Sequence, residues 1–202
     1  MSFNLLTIWL FSLAAIMLLG SPGPGIAALI AVGKDRGFLG GLRFYWGLQA
    51  GLAFAAAVSA GGLFSLIQAA PAAMTALTAI AAAYLCWLAY KIATAPVGAA
   101  ANEKARRAAS TAWSGFLLGI ANPKAYVAFV SLMASYAVVR SNAFADVGLK
   151  WFLCVIVMIV VDIAWLGFGA IVGMAALKPG AERALNLAMG GAILITTLLA
   201  LI

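Results

Sequence analysis

The sequence predicts an all-α membrane protein of six transmembrane helices, built as a 3+3 inverted repeat in which the first and fourth helices are interrupted. Three observations lead there. Of 202 residues, 66% are hydrophobic and 8% charged, whereas soluble domains carry about 25% charge. With a mean hydropathy of +1.13, too little polar surface exists to cover a globule in water, so lipid is the solvent for most of the chain. The apolar residues fall into six segments parted by short, mostly basic gaps. Finally, Pro22 interrupts the first segment and Pro123 the fourth, 101 residues later in a chain of 202. The two breaks thus occupy matching places in halves of about 1–100 and 101–202. Three spans is an odd number, so the second half must be inserted upside down relative to the first. A single transmembrane domain over 1–202 contains both halves.

The segments run over about 4–33, 39–67, 71–94, 111–139, 148–176 and 181–202. At 1.5 Å per residue each can cross a hydrocarbon core of about 30 Å. The first could be mistaken for a signal peptide. Its apolar run from Phe3 to Leu19 is long and no basic n-region follows Met1, so it is read as a helix of the mature protein. Gln68 to Pro71 leaves room only for a tight hairpin between the second and third segments. The longest polar stretch, about 95–110, holds Glu103, Lys104, Arg106 and Arg107 and is read as a cytoplasmic loop between the halves.

Orientation follows from the basic residues. The first, third and fifth gaps with their helix ends hold nine: Lys34, Arg36, Arg43, Lys91, Lys104, Arg106, Arg107, Lys178 and Arg183. The opposite side holds Arg140 and Lys150. The positive-inside rule places the odd gaps in the cytoplasm and both termini outside. This asymmetry accounts for the net charge of +7, so no nucleic-acid partner is expected. The chain has no histidine, and Cys86 and Cys154 each sit within an apolar run. No metal, disulfide, cofactor or catalytic residue is expected, and both cysteines are read as small core hydrophobes. Trp9, Trp87, Trp113 and Trp151 lie toward segment ends, either as interfacial anchors or in plain lipid-facing packing.

The first constellation with chemical potential is Ser21-Pro22-Gly23-Pro24-Gly25. Prolines lack amide hydrogens and clash with the preceding turn, and glycines tolerate non-helical backbone. A helix broken here frees carbonyls that need partners in protein or water, so the break faces the bundle interior and can contact solute. A simple proline kink is the competing reading. The second constellation is Asn122-Pro123-Lys124-Ala125. Lys124 stands near the middle of its span, where a charge costs at least about 2.5–3.5 kcal/mol and cannot snorkel out. It needs a polar cavity or a partner; alternatively it binds carbonyls freed by Pro123. The third is Asp162, the only acid deep within a span. It is read as the leading proton carrier, against the alternative of a buried ion pair with Lys124. Trp165, one turn further on, is read as lining the same cavity.

One fixed cation and one fixed anion complement a zwitterion such as an α-amino acid. Gly47 and Gly51, like Gly169 and Gly173, form G-x-x-x-G spacings, which suit close packing either within the bundle or across a homodimer.

Ser-Pro-Gly-Pro-Gly in the first segment and Asn-Pro-Lys-Ala in the fourth, within about 200 residues and six spans, resemble the LysE/RhtB family of bacterial amino-acid exporters. The resemblance covers nearly the whole chain. It implies efflux of an amino acid or derivative across the inner membrane, driven by the proton gradient. It also implies functional roles for Pro22, Gly23 and Pro24, for Asn122, Pro123 and Lys124, and for an acid in the fifth helix, here Asp162. A membrane-embedded enzyme would need histidine, paired acids or a metal cluster, and a phosphate-binding loop of the Walker type is missing. A non-transporting subunit or channel would leave the two mid-span charges without a reason. The expected partners are therefore a small-molecule substrate and membrane lipid.

Overall fold

The computed structural model describes residues 5–61, 79, 82–83, 86–87, 89–94, 110–135, 137–139, 141–174 and 179–199. Six helices are delimited among them: α1 (Leu5–Gly20), α2 (Pro24–Ala60), α3 (Ala112–Ile120), α4 (Pro123–Ser135), α5 (Ala143–Met174) and α6 (Pro179–Leu199). The tight hairpin at 68–71 and the loop at 95–109 lie outside the described residues, as does most of the third apolar segment.

Helix ends follow local chemistry. α1 stops at Gly20, and Ser21 to Gly23 leave the helical path before Pro24 opens α2 at an angle of 63°. Proline suits that first position because its missing amide would have had no partner there. The Gly23 carbonyl accepts from the Ala27 amide at 2.9 Å. α3 begins with a reciprocal cap: the Thr111 hydroxyl accepts from the Ser114 amide and the Ser114 hydroxyl accepts from the Thr111 amide, each at 3.1 Å. It ends at Ile120, and α4 restarts with Pro123 after a bend of 55°.

Pro24 and Pro123 each open the helix that follows a bend. Pro22 lies inside the bend and is exposed.

The expected gap at 34–38 contracts to one residue. Gly37 has φ 69° and ψ 177° inside an otherwise helical α2, a conformation that side-chain-bearing residues rarely adopt. Arg36 and Asp35 are thus helical, and polarity had been mistaken for a loop. α5 likewise starts at Ala143, five residues before the expected boundary. Asn142 caps it by accepting from the Ala145 amide at 3.1 Å. The polar residues in its first two turns are buried rather than loop-borne. Asp146 accepts from the Val138 and Val139 amides at 2.5 and 2.7 Å and pairs with Lys150 at 2.7 Å, while Lys150 also donates to the Met133 carbonyl at 3.0 Å.

By length and apolarity α5 crosses a membrane alone, and the bent pairs α1–α2 and α3–α4 each qualify together. With each bent pair taken as one span, these are three candidate crossings among the described residues, against six apolar segments in the sequence. Of the other three segments, most of the third lies outside the described residues, the second continues from the first in α2 across Gly37, and the sixth, α6, carries Glu182, Arg183 and Asn186 in its first half.

α2 is the central element, packed mainly on α5 and α3. Both contacts are made through glycine. Gly47 and Gly51 lie against the backbone of Ala112 and Phe116, and Gly115 and Gly119 of α3 reciprocate against Phe44 and Leu48. Further along, Gly33 meets Leu166 and Ala170, while Gly169 and Gly173 meet Ile30 and Lys34. Apolar side chains gain nothing by leaving lipid for protein, so such close backbone approach is what holds membrane helices together. Both G-x-x-x-G spacings are therefore taken up inside the chain. Lys34 adds a polar tie from α2 to α6, 2.9 Å from Glu182 Oε1 and 3.2 Å from Asn186 Oδ1.

Large apolar side chains remain outside: Trp9, Leu39 and Phe144 are 75%, 80% and 90% exposed, a surface suited to lipid rather than to water. Trp87 and Trp113 are exposed too, whereas Trp151 turns inward and donates to the Ala53 carbonyl at 3.1 Å. Cys154 is buried as expected; Cys86 is exposed and is not a core residue.

Candidate functional site

The two bends meet. Lys124 is the second residue of α4, and its Nζ donates to the carbonyls of Ser21 and Pro22, the latter at 3.4 Å. These carbonyls lie in the bend just past the end of α1, beside the negative pole of its dipole. An ammonium is the natural group to satisfy both. The carbonyls it binds are those freed at the first break, not those freed by Pro123. The Ser21 hydroxyl donates to Leu18 O at 2.9 Å and covers a further acceptor of the same helix end.

Gly23 lies under the lysine stem. Its backbone is extended, with φ −169° and ψ −175°, so backbone freedom is not the reason for a glycine. Space is the reason: a Cβ there would lie 2.8 Å from Lys124 Cδ and 3.2 Å from Nζ.

Ser21, Gly23, Gly25, Asn122, Lys124 and Asp162 line one cavity, walled on its apolar side by Leu18, Leu19, Ile26, Leu52, Ala125, Ala128 and Met158. The space open to the centre of a water molecule is about 30 Å³, enough for water but not for an organic solute. Gly25 and Lys124 stand in the first turns of α2 and α4, so two positive helix ends border the space.

Asp162 is 5% exposed, at the middle of α5. It does not pair with Lys124. Its Oδ2 accepts instead from Gln49 Nε2 of α2 at 2.7 Å. Nearby, the Tyr45 hydroxyl donates to the Ile159 carbonyl of α5 at 2.9 Å. Among the described residues, two buried side-chain acceptors have no hydrogen-bond partner: Gln49 Oε1 and Asn122 Oδ1. Buried acceptors of that kind mark a place where a donor is expected to arrive.

Of the residues singled out in the sequence, Ser21, Gly23, Gly25, Asn122, Lys124 and Asp162 come together at the cavity. Pro22, Pro24 and Pro123 shape the bends beside it without lining it. Trp165 does not line it either: its ring stands edge-on to Phe168, with centroids 5.8 Å apart. Gln49 and Met158 were missed. An amide in the middle of the second apolar segment, between Gly47 and Gly51, was a legible signal; Met158 had none beyond lying one turn before Asp162.

Bent helices whose ends, together with a lysine and an aspartate, gather round an internal cavity are the architecture of a membrane translocator. The chain belongs to the LysE type translocator family, whose model matches residues 16–201. It is a transporter and not an enzyme, and the exporters of this family are inner-membrane proteins. It is 28% identical over 151 residues to cysteine/O-acetylserine efflux proteins of Salmonella paratyphi A and Salmonella typhi, covering 75% of this chain and 72% of each relative. A cysteine/O-acetylserine efflux protein of Escherichia coli K12 is 28% identical over 152 residues, with the same coverage. No solved structure matches the chain.

Proposed function

We propose that this protein exports amino acids or related small zwitterionic metabolites across the inner membrane in exchange for protons. The observation that carries this reading is that Lys124 and Asp162 line one cavity without forming a salt bridge, each holding a different partner. A carboxylate would seat toward Lys124 and the positive ends of α2 and α4. An ammonium would seat toward Asp162, with Asn122 Oδ1 as a further acceptor. Each charge is then available to a solute carrying the opposite one, and the apolar wall favours an uncharged side chain. The cysteine/O-acetylserine efflux relatives support export, and they support small neutral solutes of this kind. Asp162 carries the coupling proton. At about 30 Å³ the cavity must widen to admit solute, as alternating access requires.

The reading includes six spans in one transmembrane domain, with inverted halves of about 1–100 and 101–202, interrupted first and fourth helices, and both termini outside. Residues 38–60 of α2 alone would extend about 34 Å, sufficient for a second crossing after Gly37.

The test is reconstitution in proteoliposomes loaded with O-acetylserine, cysteine and a panel of neutral and charged amino acids. Efflux of a neutral zwitterion that accelerates under an inward proton gradient, with matching proton uptake, is the expected result. Flux indifferent to the gradient would remove the coupling, and no flux of any zwitterion would remove the substrate class.

A further inference from the structure

Gln49 Nε2 donates to Asp162 Oδ2 at 2.7 Å, while Oε1 of the same amide is buried and accepts nothing. Gln49 is 6% exposed and Asp162 is 5% exposed, so water does not serve either group freely. A carboxylate can only accept hydrogen bonds, whereas a carboxylic acid also has a proton to donate. A partner that suits both forms must offer a donor and an acceptor from one position. Among side chains, a primary amide does this by rotating half a turn.

The geometry points to Gln49 as a positioning residue that keeps Asp162 hydrogen-bonded in both of its protonation states. In the charged state Nε2 donates to Oδ2, as seen. When a proton from water in the cavity joins Oδ2, the amide rotates, and the Asp162 hydroxyl donates to Oε1. The carboxyl passes from charged to neutral, and neither form leaves a buried donor facing nothing.

Among the described residues no other side chain is hydrogen-bonded to Asp162; Asn122, also a primary amide, lines the same cavity without bonding to it. Lys124, from α4, only donates, and it is bound to the Ser21 and Pro22 carbonyls. Tyr45, from α2, donates its hydroxyl to the Ile159 carbonyl. α1 brings Leu18 and Leu19 to the cavity and no ionisable side chain. A direct ion pair with Lys124 would hold Asp162 charged. A neutral amide lets the proton come and go.

This inference rests on the proposal that Asp162 carries the proton, and its test separates the two. Infrared difference spectra between acid and alkaline pH, recorded on the reconstituted full-length protein, read the carbonyl stretch of protonated carboxyls. The Asp162 band is the one absent from Asp162→Asn. In Gln49→Leu and in the unbranched Gln49→Met, which keeps the side-chain length should the leucine variant fail to fold, that band moves to higher frequency because its hydrogen bond is gone. O-acetylserine efflux falls about tenfold in the same variants, the scale of one lost hydrogen bond to a charged group. An Asp162 band unmoved in a folded Gln49 variant overturns the role of Gln49 alone. A wild-type protein with no Asp162-dependent band overturns proton carriage by Asp162, and this inference with it.

Discussion

Lys124 and Asp162 border the same cavity yet hold different partners: the ammonium binds the Ser21 and Pro22 carbonyls, and the carboxylate binds Gln49. The distinction has a measurable consequence. Neutralising one member of a buried ion pair strands the other charge, and neutralising both relieves it. Two charges with separate duties behave otherwise. Lys124→Met and Asp162→Asn are each expected to lower efflux by about tenfold or more, each forfeiting charge-assisted contacts. The double variant should recover nothing. Proteoliposome flux in the three variants checks this, and a double variant more active than either single one would mean that the charges are coupled as a pair.

Gly23 tests the lysine from the other side. A methyl group at this position would meet the flexible Lys124 stem rather than backbone, and the extended conformation suits any residue. Gly23→Ala should therefore fold with a thermal midpoint near that of the parent while efflux drops several-fold, because Nζ is pushed off its carbonyls. At Gly25 the nearest neighbours of an added Cβ lie 3.6 Å away or more, an ordinary contact, so Gly25→Ala should transport far better than Gly23→Ala. Equal loss in both would place the cause elsewhere than in the lysine.

Much of this arrangement was legible in the sequence, and the parts that were not share a physical cause. Apolarity marks what must lie in lipid, and prolines mark where a helix cannot continue, so both bends and both central charges could be located from one dimension. Hydropathy reads averages, however, and cannot see pairing. Asp146 falls in the gap before the fifth apolar segment, and nothing in the sequence reveals that it meets Lys150 and two amides. The break at Gly37 looked like a loop because Lys34, Asp35 and Arg36 are polar, although only one residue leaves the helical path. Gln49 is visible as an amide within an apolar segment, but its role lies in a contact 113 residues away. Trp165 was assigned to the cavity by helical spacing, which fixes a direction only to within a face; its contact with Phe168 decided the rest.

The glycine seams set a limit on substitution. An added Cβ at Gly47 or Gly169 would collide with the backbone of Ala112 or Ile30, and backbone cannot swing aside as a side chain can. Gly47→Ala and Gly169→Ala should each destabilise the bundle by about 1–3 kcal/mol or more, the range for overpacked cores. The loss should appear as a lower thermal midpoint in detergent. By contrast, Gly191→Ala in α6, where nothing stands within 4 Å, should leave it unchanged or slightly raised, since alanine is the better helix former. Midpoints unchanged in the two seam variants would show that α2 does not approach α3 and α5 as closely as described.

The pair Asp146–Lys150 anchors residues 137–139 to the start of α5. The carboxylate takes two backbone amides and one ammonium, and the ammonium in turn holds the Met133 carbonyl at the end of α4. Both side chains are largely out of solvent, at 4% exposure for Lys150 and 13% for Asp146, so screening does little to weaken the pair. Lys150→Met removes the counter-charge and leaves Asp146 buried with its amides alone, a change that costs about 3–5 kcal/mol where one partner of a buried pair is lost. Asp146→Asn with Lys150→Met removes both charges and keeps a side-chain oxygen able to accept from both amides, which share Oδ1 in the parent. The double variant should therefore be the more stable of the two, read as a thermal midpoint above that of Lys150→Met and below that of the parent. Because the pair lies at the end of α5 remote in sequence from Asp162, transport per folded molecule should survive in both. Loss of flux in a variant of normal stability would instead make the α4–α5 connection part of the moving machinery.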